Sequence, residues 1–304
     1  MSYSRRNFLK VSTLGMGAAA LARPAGASAA RRAAVFTPLR RNVGIFTERG
    51  GTIGWLINGD GVVVVDSQFA DTAPMLVSGI QERTRLPIDV LLNTHHHPDH
   101  TGGNAVMREV VGKIVAHERA ATNLRNSAAA RGAAEDARPF PDTTFTGTWS
   151  LSVGDETVRL RHYGAAHTGG DAAIFFERAN VVHLGDLLNN RGWPNIDAPA
   201  GGSVHGWVEV LEQIMPEYPA DALYIFGHNE AGYPPTGTRT DLAFQRDYFL
   251  AVIEVAAAAL REGRSREQAI ALQSLPGFEH FGGQVPRLGL AVGVAYDELQ
   301  AMRG

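Results

Sequence analysis

Asn93-Thr94-His95-His96-His97-Pro98-Asp99-His100-Thr101-Gly102-Gly103 gathers four imidazoles and a carboxylate within six consecutive positions. Imidazole is a borderline ligand suited to zinc, and carboxylates fill the harder coordination positions, so this stretch points to divalent-metal chemistry. On an extended segment alternate side chains share a face. His95 and His97 can then address one ion while His96 looks elsewhere. Pro98 lacks an amide hydrogen and stops strand pairing. Asp99 and His100 follow at the start of a turn and can address a second point nearby. Thr101-Gly102-Gly103 lets the backbone approach closely and opens a helix.

Such a cluster works only if rigid elements deliver it. Residues 54–58 and 62–65 read as strands around the Gly59-Asp60-Gly61 turn, and the four valines of the second as a buried strand. A helix over 72–85 and a buried strand over 88–92 complete a βαβ unit whose last strand stops just before the histidines. Further along, the pattern predicts a helix near 103–110, a strand at 113–116, a weakly patterned Ala/Arg-rich stretch over 119–138 and a loop over 139–148. Hairpins follow at 151–162 and 173–184, then a helix over 203–215 and a buried strand over 222–226 that also stops at a histidine, His228. The remainder reads as mostly helical, over 240–261 and after a capping box at Ser265 and Gln268. No Pro/Gly/Ser linker divides residues 30–304, which predicts one domain. Its two similar halves suggest an α/β, αββα sandwich: two mixed β-sheets with helices outside.

The motif His95-x-His97-x-Asp99-His100 before Thr101-Gly102-Gly103 resembles the signature of the metallo-β-lactamase fold superfamily. The likeness continues in order through Gly164–Asp171 around His167, His183-Leu184-Gly185-Asp186, and Phe226-Gly227-His228-Asn229. It implies one metal on His95, His97 and His167, another on Asp99, His100 and His228, and Asp186 bridging them. Asp66, at the end of the valine strand, matches an aspartate that braces the metal loop from behind. The implied cofactor is two Zn(2+) per chain, with iron or manganese as possible substitutes. The implied activity is a hydrolase in which metal-activated hydroxide attacks an ester, thioester, lactam or related bond of a small-molecule substrate. Asp99 would orient the nucleophile and pass a proton to the leaving group.

Three alternatives differ in what they require. A β-lactamase proper carries a cysteine at the second metal, or a histidine/aspartate set without a bridging carboxylate. This chain has no cysteine and has Asp186, so it looks more like the glyoxalase II branch. A mononuclear iron sulfur dioxygenase needs one metal site where this chain supplies ligands for two. A non-catalytic metal-binding protein would be expected to lack a ligand, and none is missing. The substrate pocket is expected from residues 189–202 and parts of 118–145. His117, His162, His205 and His280 read as surface or satisfied core residues, His183 as a strand residue, and Asp171 as a turn cap.

The N-terminus adds a location. Arg5-Arg6 before Phe8-Leu9-Lys10, a short apolar run and Ala27-Ser28-Ala29 resemble a twin-arginine signal peptide over residues 1–29. The implied partner is the twin-arginine export machinery and the implied location the periplasm. The apolar run is too short for stable membrane insertion of the mature chain. Loss of four basic residues there takes the formal charge from −3 to −7, which gives no case for nucleic acid as a partner.

Overall fold

Val62-Val63-Val64-Val65 sets the layering, because successive side chains of a strand point to opposite faces. Val63 and Val65 pack inward with Leu92, Phe176 and Ile225, whereas Val62 and Val64 pack outward with Leu76, Ile80 and Met107. A strand apolar on both faces needs a layer on each side. The computed structural model shows what those layers are. It describes residues 34–132, 139–279, 281–283 and 286–303, all within the compact unit Ala33–Gly304. The segment 1–29 read as an export signal, the end of the Ala/Arg-rich stretch and His280 lie outside the described residues.

One sheet has seven strands in chain order: β1 (Val35–Arg40), β2 (Val43–Thr47), β3 (Ile53–Ile57), β4 (Val62–Val65), β5 (Ile88–Leu92), β6 (Val111–His117) and β7 (Thr143–Phe145). It is antiparallel up to β4 and parallel from β4 to β7. The later strands are β8 (Thr148–Val153), β9 (Glu156–Arg161), β10 (Ala173–Phe176), β11 (Val181–His183), β12 (Asn189–Asn190), β13 (Leu223–Ile225), β14 (His228–Asn229) and β15 (Thr236–Gly237). Six of them form the second sheet in the order β15-β13-β11-β10-β9-β8, parallel only between β11 and β13. The short β12 and β14 pair with each other.

The helices are α1 (Ala73–Arg83), α2 (Pro98–Thr101), α3 (Asn104–Met107), α4 (Glu118–Ala130), α5 (Val204–Glu217), α6 (Arg239–Arg261), α7 (Arg266–Ile270) and α8 (Pro286–Ala301). Leu76 and Ile80 of α1 and Met107 of α3 cover the outer face of the first sheet. Trp207 of α5, Phe249 of α6 and Val292 of α8 cover that of the second, against Val182 and Tyr224. The αββα sandwich of two mixed sheets is therefore the fold. Among the described residues, no helix is long and apolar enough to cross a membrane.

Several local expectations fail for identifiable reasons. Residues 35–40, for which the pattern predicts no element, form β1, an edge strand that tolerates Pro38 because one side of an edge needs no donor. The weakly patterned 119–138 stretch contains α4, started by His117, whose ring accepts from the Arg119 amide. The 139–148 loop holds β7 and the first residue of β8. The helix expected over 103–110 is the short α3, and a separate short helix before it, α2, already contains Asp99 and His100. The capping box at Ser265 and Gln268 is present and opens α7.

Candidate metal centre

Four strand ends converge on one edge of the sandwich. Asp66 leaves β4 in the left-handed region, φ 66°, which Asp tolerates better than most residues. There its carboxylate accepts from the Thr94 amide (2.8 Å) and the Thr94 hydroxyl (2.7 Å). Asp66 and Thr94 are both buried, so these bonds fix the start of the histidine segment against β4. That segment bends instead of extending, and Thr101 Oγ1 donates to the carbonyls of His96 (3.1 Å) and His97 (3.0 Å). The alternate-face argument therefore gives the right pair for an incomplete reason: the bend turns His95 and His97 together through different ring nitrogens. Two glycines clear the space. A Cβ on Gly51 would strike the His100 ring, and one on Gly227 would strike Asp186 Oδ1.

His95 Nε2 and His167 Nε2 lie 3.2 and 2.8 Å from His97 Nδ1. Together with an Asp186 oxygen these ligand atoms fall within 4.8 Å of one another. A second group joins Asp99, His100 and His228. Here His228 Nε2 is 3.0 Å from Asp99 Oδ2 and 3.3 Å from His100 Nε2. Asp186 reaches both groups: Oδ1 is 3.0 Å from His100 Nε2, and Oδ2 is 3.6 Å from His167 Nε2. All seven residues singled out in the sequence are thus brought together, with Asp66 behind them.

The outward-facing ring nitrogens decide whether a cation fits. His167 Nδ1 donates to the Asn195 carbonyl (2.6 Å), His97 Nε2 to Asp197 Oδ2 (2.8 Å), and His100 Nδ1 to Asp66 Oδ2 (2.8 Å). His95 Nδ1 lies 3.0 Å from Thr94 Oγ1, whose own hydrogen goes to Asp66, so this nitrogen is the donor. In its neutral form each ring therefore has its one proton outward and a lone pair inward, the form that binds a metal. Asp186 Oδ1 is buried and faces Nε2 of both His100 (3.0 Å) and His228 (3.4 Å). Lone pairs facing one another at such distances need a positive charge between them, and the outward partners are the kind that orient metal-bound histidines. The donor set fits divalent metal.

The protonation tendencies of the unloaded residues point the same way. Burial, then the neighbouring imidazoles, holds His95 well below the usual histidine value; burial lowers His167 to about 4. Burial opposes charge at His228 and His100 too, yet Asp186 raises His228 to about 9 and His100 well above its ordinary value. Those same two histidines overcome burial and hold the Asp186 carboxyl well below the usual range.

The remaining histidines and aspartates have other partners. His183, in β11, donates Nε2 to the Thr52 carbonyl, and Asp171 accepts from the Thr168 amide and hydroxyl. His117 reaches the Thr146 carbonyl and stacks on His162, while His205 pairs with Glu298. Asp197, not singled out from the sequence, holds His97; nothing in its Asn195-Ile196-Asp197-Ala198 surroundings marks it.

A cavity of about 410 Å³ opens onto the centre past His97, Asp99, His167, Asp186 and His228. Asn189, Gly192, Trp193 and Asn195 line it, from the expected 189–202 segment. Among the described residues of 118–145 none lines it, since α4 and β7 lie elsewhere. Asn229, Glu230, Gly282, Gly283 and Arg287 supply the other wall.

A family model described as the metallo-beta-lactamase superfamily matches residues 47–228. The chain belongs to that superfamily, and its class is metal-dependent hydrolase. Among its relatives is a metallo-beta-lactamase type 2 of Elizabethkingia meningoseptica, 22% identical over 58% of this chain and 68% of that protein. Another is a hydroxyacylglutathione hydrolase of Rhodospirillum rubrum, 27% identical over 54% of this chain and 56% of its own length. The fold is similar to that of a metallo-beta-lactamase from Pontibacter korlensis, with TM-score 0.60 and 20% identity over 71% of this chain and 99% of that one.

Proposed function

We propose that the chain is a dinuclear zinc hydrolase acting on an ester, thioester, lactam or related bond of a small molecule. The observation that carries this is Asp186, which directs one oxygen to each of two ligand groups. The zinc ions, when bound, would supply Lewis acidity: hydroxide near neutral pH and polarisation of the scissile carbonyl. His95, His97 and His167 would hold one, Asp99, His100 and His228 the other. Asp99 lines the cavity and is placed to orient the nucleophile and pass a proton to the leaving group. A bridging aspartate and the absence of cysteine favour the thioester-hydrolase pattern over a β-lactamase, in keeping with the hydroxyacylglutathione hydrolases among the relatives. Export by the twin-arginine machinery to the periplasm, with removal of residues 1–29, belongs to the same reading and rests on Arg5-Arg6 and Ala27-Ser28-Ala29.

Metal analysis and a hydrolysis screen on zinc-loaded protein test it together. The expected result is two zinc ions per chain and turnover that chelation abolishes. His97→Ala and Asp186→Ala should lose bound metal and reduce turnover beyond the ~100-fold typical for losing an outer partner alone. Full activity of metal-free protein would overturn the reading, and one iron with persulfide-dependent oxygen uptake would replace it with a dioxygenase.

A further inference from the structure

We propose that Gln68 is a positioning residue for the ion held by Asp99, His100 and His228: its side-chain amide pins the turn at Gly51 onto Asp99 and His100. The inference rests on the dinuclear reading and adds to it a residue outside the ligand set. Gln68 carries two costs. It is fully buried in the left-handed region, φ 51°, which a residue with a Cβ rarely adopts. Its Oε1 is buried with no hydrogen-bond partner among the described residues. The reverse orientation of the amide would set Oε1 against the Gly51 carbonyl, so the assignment holds. A residue that only filled space would need neither cost, since glycine relieves the backbone and an apolar side chain removes the orphaned oxygen. Strain of this kind persists where the surroundings enforce it, and it clusters at functional sites.

What the two costs maintain is a connection. Asp66, Ser67 and Gln68 follow one another out of β4, and each grips the histidine segment. Asp66 accepts from Thr94 and from His100 Nδ1, the Ser67 amide donates to the His100 carbonyl (2.7 Å), and the Gln68 carbonyl accepts from the Gly103 amide (2.9 Å). The Gln68 side chain runs the other way, to the turn between β2 and β3, where Nε2 donates to the Gly51 carbonyl at 2.7 Å. The Gly51 amide in turn donates to the Asp99 carbonyl at 3.0 Å. A Cβ on Gly51 would come within 2.2 Å of His100 Cε1 and 2.5 Å of Nε2, so this backbone is packed on the ring itself. Asp66 fixes one atom of the His100 ring. The Gly51 backbone fixes its tilt, and with it the direction of Nε2.

The far end of the turn is anchored independently. The Thr52 amide donates to the Gly227 carbonyl (2.8 Å), and the Thr52 carbonyl accepts from His183 Nε2 (3.0 Å). Loss of the Gln68 bond therefore frees the turn at Gly51, on the side of Asp99 and His100. The outward partners of His95, His97 and His167 are Thr94, Asp197 and Asn195, none of them on this turn.

The test uses the full chain with Gln68→Met, which keeps the length of the side chain and removes both polar atoms, and Gln68→Gly, which also relieves the backbone. In zinc-free protein both should speed hydrogen exchange of the Gly51 amide about tenfold, the effect of one lost hydrogen bond, and leave the Thr52 amide unchanged. In chelator-competition titrations both should weaken about tenfold the zinc step that His228→Ala removes, and leave the other step within about twofold. A role in folding alone would lower the thermal unfolding midpoint without separating the two zinc steps. Unchanged exchange at Gly51, unchanged zinc affinity, or equal weakening of both steps would each overturn the proposal. If the unvaried chain binds a single zinc ion, the dinuclear reading fails, and exchange at Gly51 still decides whether Gln68 holds the turn.

Discussion

His95, His97 and His167 each spend one ring nitrogen on a fixed acceptor and leave the other bare toward a common point. Asp99, His100 and His228 are built from similar residues but tied differently. Only His100 among their rings has an outward acceptor, Asp66, and His228 is 34% exposed with none among the described residues. In the first group burial holds His95 and His167 in the neutral form, and the fold orients all three rings. The second is a charged knot around Asp186 whose positive charge is carried by protons until a metal replaces them. Similar ligands can therefore yield a tight site and a proton-competed one, a few ångströms apart.

The braces give the sharpest way to break that contrast. Asp66 serves both groups, through Thr94 to His95 and directly to His100, whereas Asp197 serves His97 alone. Losing an outer-shell partner typically costs 10–100-fold in metal affinity. Asp66→Asn should weaken both zinc ions, toward the upper end of that range. Asp197→Asn should weaken one, toward the lower end, and leave the other within a few-fold. Competition titration with a chromogenic chelator reads both steps. Equal effects of Asp197→Asn on the two steps would mean that the groups are not separately braced.

Acidity should separate the groups next. A metal entering the second group must displace the protons held by His228, up to about 9, and by His100, so affinity there should rise between about tenfold and a hundredfold per pH unit from pH 6 to 9. In the first group His167, at about 4, is already neutral throughout that window, and His95 lies well below its ordinary value. Affinity at that step should be nearly flat. Zinc titrations at several pH values check the slopes; two parallel slopes would erase the distinction.

The seven converging residues were legible through the resemblance of their types, spacing and order to the superfamily's motifs; local geometry alone marked only the cluster at 95–100. Asp66 was legible by the same resemblance, since a carboxylate closing a valine run is by itself an ordinary strand end. Asp197, Arg287 and Glu230 were not. They lie in a loop, at a helix start and after a two-residue strand, where no periodicity restricts which way a side chain points. The fold showed the same divide. The sandwich followed from Val62–Val65 and the buried strands at 88–92 and 222–226. By contrast β1, carrying Pro38 on an edge, and α4, rich in Ala and Arg, have no strong period and depend on tertiary partners.

His96 offers the smallest expected effect and the most discriminating one. With His97 and Asp197 it forms a third set of ligand atoms within 4.8 Å of one another. Yet His97 Nε2 is at hydrogen-bonding distance from Asp197 Oδ2, 2.8 Å, while His96 Nε2 stands off at 3.7 Å. His96 Nδ1 is buried without a partner, so the ring contributes packing and little polar stabilisation. His96→Asn should then change zinc affinity by no more than a few-fold and stability by about 1 kcal/mol, a small core trim offset by the loss of an unsatisfied nitrogen. Zinc content and thermal unfolding measure the two. A variant that loses a full equivalent of zinc would make His96 a ligand, turn Asp197 from a brace into a coordinating carboxylate, and move the boundary of the first group outward.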